Sequence, residues 1–335
     1  MQVLEPNYYA SFRCLAEACP DSCCKEWEVL VDQDSAARYQ ALPGDLGDRL
    51  RAVMKTEDGE VWFTLEDRRC PMWRGDGLCR IQAELGEAEL CQTCAQFPRL
   101  CHEYGDFVEL GLELSCPEAA RLILSAPAAA PISREIPGGE APDYDPDAMA
   151  LLRDSRQRVL ALIDDPSLSV EQILGKLLLY AYDVDEFLNF PEDTPEPPEP
   201  LTRQIPVCSD DGTITMWDLF ALYRGLEILT PRWEQALRSG PRSAPWTDDF
   251  RPLIRYFVER YWLQTISDLD LASRAKFIAV SCLMIRHLGM GLLPAAQLYS
   301  KEIENDAENV NTLLDASFTA PELTDDAILR LIAQP

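Results

Sequence analysis

The sequence predicts a mainly α-helical protein: an irregular, cysteine-rich, metal-binding N-terminal region with a short β ribbon, followed by a helical C-terminal domain. Three observations carry this. Ten of the 12 cysteines precede residue 117. An Ala/Pro/Gly-rich stretch, SAPAAAPISREIPGGEAPDYDPD, then reads as a linker. Beyond it, apolar residues recur at helical spacing. The expected division is a cysteine-rich domain over 1–125, a linker over 126–147 and a helical domain over 148–335.

Strand signals are few. Val29 and Val31 in WEVLVD, and VWFTL from Val61 to Leu65, suit a small ribbon beside the cysteines. Past the linker, Ser169 with Gln172 three residues on forms a capping-box start for VEQILGKLLLYAYDV. In DDFRPLIRYFVERYWLQTI the pairs Leu253/Ile254, Phe257/Val258 and Tyr261/Trp262 recur every four residues and form one apolar stripe. Asp268 or Asp270 caps the next helix, through Arg274 to His287, and Lys301 to Leu314 reads as another. PEDTPEPPEP, residues 191–200, is too proline-rich and acidic for a helix and reads as an exposed loop.

Composition narrows the function. The 47% apolar share fits a globular chain, and no apolar run reaches the ~18 residues of a membrane span. MQVLEPNYYASF lacks the basic-then-apolar layout of a secretory signal, so a cytoplasmic location is expected, with no membrane insertion. With 57 acidic and 30 basic residues the net charge is -27, which excludes nucleic acid as a partner because phosphate contacts need positive patches.

A reducing compartment disfavours disulfides, so the cysteines read as metal ligands. Cys14, Cys19, Cys23 and Cys24 are spaced C-x4-C-x3-C-C; Cys70, Cys79, Cys91 and Cys94 follow, then Cys101 and Cys116. Thiolates suit zinc or iron–sulfur clusters. Cys91/Cys94 is the single C-x2-C, so the paired zinc knuckle is absent, and only His102 and His287 could add imidazole. Cys282, in FIAVSCLMI, reads as core.

The segments FRCLAEACPDSCCKEWEVLVD, CPMWRGDGLCRIQAELGEAELCQTCAQFPR and LELSCPEAARLIL resemble the flagellin lysine-N-methylase family, whose cysteine region is related to CxxCxxCC zinc- or iron-chelating domains. YFVERYW, SRAKFIAVSCLMIRHLG and LYSKEIENDAENVNTLL extend the likeness through the C-terminal half. The resemblance implies a bacterial protein-lysine N-methyltransferase that moves methyl groups from S-adenosylmethionine to lysines of flagellin, with a 4Fe-4S cluster and zinc as the alternative metal. The metal positions it implies are Cys14, Cys19, Cys23, Cys24, Cys70, Cys79, Cys91 and Cys94; Cys116 also sits in a matching segment.

The alternative is a non-catalytic iron- or zinc-binding module that docks onto a partner protein. The C-x3-C-x2-C loop of radical S-adenosylmethionine enzymes is missing, because Cys24 follows Cys23 directly. No Gly-rich turn after a strand is visible, so the methyl donor rests on the resemblance alone.

Lysine methylation needs a neutral amine from a group whose free pKa is about 10.4, hence a base or a desolvating pocket. Arg99, Glu118, Arg121 and Glu302 lie inside the resembling motifs and are candidates for substrate or cofactor contacts, with ion pairing or capping as their plain alternative. Trp27, Trp73, Tyr8, Tyr9 and Phe97 are candidate cation–π faces or ordinary packing.

Overall fold

The computed structural model describes residues 1–197, 199–206 and 213–334. Pro198 of the expected 191–200 loop, and residues 207–212 and Pro335 of the expected helical domain, lie outside the described residues.

The chain starts with β1 (Gln2–Glu5), and the cysteine loop carrying Cys14 to Cys24 leads to β2 (Val29–Val31). Asp32 then caps α1 (Gln33–Ala41) by accepting from Ser35 N at 2.9 Å. After α2 (Gly44–Val53), β3 (Met54–Glu57) and β4 (Glu60–Phe63) form a hairpin about Asp58 and Gly59, both at positive φ (49° and 86°) as a tight Asp-Gly turn requires. The expected ribbon is there: β4 pairs antiparallel with β2, Val29 opposite Phe63 and Val31 opposite Val61.

Next come α3 (Arg80–Leu85), α4 (Gln92–Gln96), β5 (Arg99–Glu103), β6 (Phe107–Leu112), α5 (Pro117–Ser125) and β7 (Ile132–Glu135). A second sheet, ordered β5-β6-β1-β7, was not expected from the sequence. β1 runs parallel to β6, with Val3 opposite Val108, and antiparallel to β7, with Val3 opposite Arg134. Pairing segments this distant leaves no local signature. The Ala/Pro/Gly-rich stretch thus contains the outermost strand, and the Met1 amino group bonds Ile136 O and Gly138 O at 3.0 Å each.

Helices dominate from α6 (Pro146–Asp164) onward. α7 (Val170–Asn189) starts with the expected capping box: Gln172 N reaches Ser169 Oγ at 3.3 Å and Ser169 N reaches Gln172 Oε1 at 2.9 Å. Residues 191–197 are non-helical. α8 (Met216–Arg224) and α9 (Pro231–Ser239) precede α10 (Phe250–Tyr261), whose expected stripe is buried and continues into the 3-10 turn at Trp262. α11 (Leu271–His287) is buried on all sides, as expected of a central helix. Asp270 caps it through Ser273 N at 3.0 Å, Asp268 instead grips Arg274 with two bonds of 2.8 Å, and Cys282 is fully buried.

Lys301 to Leu314 is not one helix. α12 (Leu292–Tyr299) runs on as a π turn over Ser300–Glu304, the chain breaks at Asn305, and α13 (Ala307–Ala316) restarts under an Asp306 cap that accepts from Glu308 N and Asn309 N. Asp favours an N-cap over a helix interior, which accounts for the break. α14 (Asp325–Ala333) closes the chain. Among the described residues no helix is long and apolar enough to cross a membrane.

Two apolar cores result. The larger packs the C-terminal helices together with α5 and with Phe12, Phe107, Leu112 and Leu114 of the sheet region. The smaller holds Val29, Val31, Tyr39, Leu50, Phe63, Met72 and Ile81, with Cys70 and Cys91 among its members. Cys24, Cys79 and Cys94 pack against the smaller core and Cys116 against the larger.

Candidate metal centre

Short bonds fix each cysteine-bearing segment. Cys70 N donates to Cys24 O at 2.9 Å, tying the first group to the second, and Trp73 and Cys79 form a β-bridge beyond it. Cys79, Cys91 and Cys116 each stand at the N-cap of a helix, α3, α4 and α5, where free backbone N–H groups point toward sulfur. α4 is held against β2 by Gln92 N to Asp32 Oδ2 at 2.8 Å and by Thr93 Oγ1 to Leu30 O at 2.8 Å.

All eight sequence-predicted metal positions, Cys14, Cys19, Cys23, Cys24, Cys70, Cys79, Cys91 and Cys94, line one cavity of about 360 Å³, and Cys116 joins them. Cys101 does not: it is exposed on β5, 3.8 Å from Glu103 Oε1. The eleven described cysteines are all free thiols. Their electrostatic neighbours form two sets. Cys24, Cys70, Cys79, Cys91 and Cys94 act on one another at the inner end, and Cys14, Cys19, Cys23 and Cys116 do so at the outer end, with the Cys23–Cys24 step joining them.

Burial pushes the Cys70 thiol up to about 12 and the Cys116 thiol up to about 11. Cys24 moves down to about 7 because the Cys23 thiol donates to it, and Cys91 moves down because the Cys94 thiol does. Cys24 and Cys91 therefore ionise more readily than a free thiol. Among the described residues no three His, Cys, Asp or Glu side chains converge as a single-ion site; the sulfurs surround a space. Nine thiols around such a space fit a soft metal group by donor chemistry.

Charged and aromatic residues line the cavity too, Asp21, Trp27 and Lys301 among them. Lys301, on the π turn and 3% exposed, places Nζ 2.9 Å from Glu26 Oε2, 3.2 Å from Asp21 Oδ2 and 4.9 Å from the Trp27 ring centroid. Gln297 Nε2 adds bonds to Asp21 Oδ2 at 2.9 Å and Ser115 O at 2.8 Å. Sequence reasoning missed both residues. Gln297 had a signal, a glutamine in the otherwise apolar run LLPAAQLY; Lys301, in the polar SKEIEN, had none.

The four polar candidates separate. Arg99 and Glu118 line the thiol cavity, Arg99 lying 5.2 Å over the Phe12 ring. Arg121 forms a two-bond ion pair with Glu118 at 2.7 Å and is largely exposed. Glu302 lies in neither of the two main cavities: it is fully buried, and Oε2 accepts from Leu229 N at 2.9 Å. Trp27 and Phe97 line the thiol cavity 6.1 Å apart. Trp73 lies under Arg69 at 4.4 Å outside it, and Tyr8 lines a different cavity. Tyr9 lines neither.

The fold and the site define a mainly helical protein with a cavity lined by free thiols. A lysine-N-methylase of Salmonella typhimurium (strain LT2) and one of Salmonella choleraesuis are each 34% identical to it over 140 residues, 40% of this chain and 35% of theirs. The flagellar biosynthetic protein FliU of Salmonella muenchen is 34% identical over 132 residues, 37% of this chain and 78% of that protein. The chain belongs to the flagellin lysine-N-methylase family. It spans about a third of the length of the two lysine-N-methylases it matches. No family model and no solved structure matches it.

Proposed function

We propose that this chain is a protein-lysine N-methyltransferase of the bacterial cytoplasm that moves methyl groups from S-adenosylmethionine to lysines of flagellin. The observation that carries the reading is the 34% identity to proteins named lysine-N-methylase and to FliU. In the reaction the neutral lysine nitrogen attacks the sulfonium methyl carbon. The S–C bond breaks, its electron pair stays on sulfur as a thioether, and the proton shed by the ammonium passes to a base or to water.

The thiol cavity is the proposed seat of a 4Fe-4S cluster, with the inner set Cys24, Cys70, Cys79, Cys91 and Cys94 as its ligand pool. A space of about 360 Å³ ringed by sulfur suits a multi-atom cluster better than one zinc ion, which needs four sulfurs at ~2.3 Å from a single point. When bound, such a group supplies thiolate–metal bonds that join the loops of the smaller core. Arg99 and Trp27 would shape the approach of a protein segment.

The test is intact-mass spectrometry of flagellin from the same source, incubated with S-adenosylmethionine and the chain purified without air. Donor-dependent methyl-sized increments on lysines are expected. Unmodified flagellin in the presence of metal-loaded protein would overturn the enzyme in favour of a docking module.

A further inference from the structure

The two most exposed large apolar side chains among the described residues, Phe318 at 71% and Phe190 at 62%, stand at one end of the helical body. α7 ends at Asn189 and α13 at Ala316, and both ends meet the start of α11. From α7, Asn189 Nδ2 donates to Leu269 O at 2.9 Å, and Asp185 Oδ1 accepts from Leu271 N at 2.7 Å and Ala272 N at 3.1 Å. From α13, Ser317 Oγ donates to Ser273 Oγ at 2.8 Å, and Ser317 O accepts from Lys276 Nζ at 2.8 Å. These bonds gather Phe190, Leu269 and Phe318 around the first turn of α11.

Leu269 stands at φ 59°, a left-handed backbone that side chains rarely adopt. Its N–H donates to Thr265 O at 2.7 Å and its carbonyl accepts from Asn189, so the conformation is fixed at both ends. The fold holds a strained backbone here and leaves the leucine in solvent. Scattered exposed apolar residues are ordinary; a group of three, one of them strained, marks a surface that meets something.

Charge says what it meets. Across residues 185–193, 267–276 and 315–326, ten carboxylates accompany two bases, Arg274 and Lys276. Both bases are committed inside the fold, Arg274 to Asp268 and Asp270 O, and Lys276 to Ser317 O and Asp325. Glu186, Glu192, Asp193 and Asp315 are exposed and form no salt bridge among the described residues. Glu186 and Asp315 lie in the last turns of α7 and α13, neither of which holds a basic residue. A carboxylate at the negative end of a helix dipole is unfavourable alone and is relieved when a cation sits beside it.

We infer that this face docks the protein substrate, through a segment that carries lysines or arginines between apolar side chains. The inference rests on the methyltransferase reading above, which supplies a lysine-bearing protein as the partner. Phe190, Phe318 and Leu269 take the apolar side chains of that segment, and the unpaired carboxylates take its cations. None of these residues lines either of the two main cavities. The face therefore acts on the capture of the protein and leaves the transfer step alone.

The experiment uses the full chain purified without air. Isothermal titration measures binding of intact flagellin, and mass spectrometry measures initial rates of methyl transfer to intact flagellin and to peptides cut from it at glutamates. Phe190→Ala with Phe318→Ala removes two exposed rings and is expected to weaken binding and raise KM for flagellin at least about tenfold, with kcat and the peptide rates unchanged. Glu186→Lys with Asp315→Lys, which suits both helix ends and so preserves the fold, is expected to act in the same direction. Wild-type binding and KM in both double variants would overturn the docking face while leaving methyl transfer intact. An equal loss of rate on the peptides would overturn it too, by placing these residues in the transfer step. Binding that depends on this face in a chain that transfers no methyl group would support the docking and overturn the methyltransferase reading.

Discussion

Lys301 Nζ lies 2.9 Å from Glu26 Oε2 and 3.2 Å from Asp21 Oδ2, so the π turn of the helical body is ion-paired to the cysteine loop 280 residues before it. The lysine is 3% exposed, and the two carboxylates keep 21% and 23% exposure. Lys301→Met would leave two partly buried carboxylates without their cation. A fully buried pair loses ~3–5 kcal/mol when one partner goes, and here partial solvation reduces the expected loss to ~2 kcal/mol. Urea denaturation of the two proteins measures it, and an unchanged midpoint would mean that the loop is held by other contacts.

The cysteines differ in what their removal should do. Cys101 is exposed on the outer face of β5, so Cys101→Ser is expected to leave the iron or zinc content of anaerobically purified protein unchanged. Cys91→Ser and Cys70→Ser remove sulfurs buried in the inner set and are expected to lower it by half or more. Metal analysis after each substitution decides, and equal loss in all three would disconnect the cavity from the metal.

Metal removal should act unevenly. The smaller core is built from short strands and helices and contains Cys70 and Cys91 themselves, whereas the larger core needs no thiol ligand. Chelation is expected to raise hydrogen exchange first in α1, α2 and β2–β4, with α7 and α11 still protected. Uniform loss of protection along the chain would contradict this division.

What was legible in the sequence was local. The Ser169–Gln172 box and the four-residue stripe of α10 are patterns a short window contains, and both are present as expected. The cysteine grouping was equally visible, since every position singled out for metal lines one cavity. The sheet β5-β6-β1-β7 was hidden because β1 pairs with strands more than a hundred residues away. The cavity lined by His102 and Arg156 was hidden for the same reason, since β5 and α6 are far apart in the chain. Arg-Leu-Cys-His-Glu shows no apolar/polar alternation, and only the exposure of the folded strand alternates. Glu302 was a candidate by its motif and Lys301 only the start of an expected helix; that the π turn buries both had no signal in a short window.

Glu302 makes stability depend on pH in an unusual direction. Burial raises its pKa from 4.5 to about 7, against the opposing pull of Thr230 and the Leu229 N–H. Between those values the folded state holds a proton that the unfolded state has released, so stability falls as pH rises from about 4.5 through about 7 and stays lowered above it. The shift corresponds to a loss on the order of 3 kcal/mol. Glu302→Gln keeps an oxygen for the Leu229 N–H and cannot ionise. It is expected to match the wild type near pH 5 and to exceed it near pH 8, with the urea midpoint as the measure. A variant less stable than wild type at pH 8 would mean that the ionised carboxylate is itself favourable there, through Leu229, Thr230 and Lys301, and would return Glu302 to the set of charged residues with work to do.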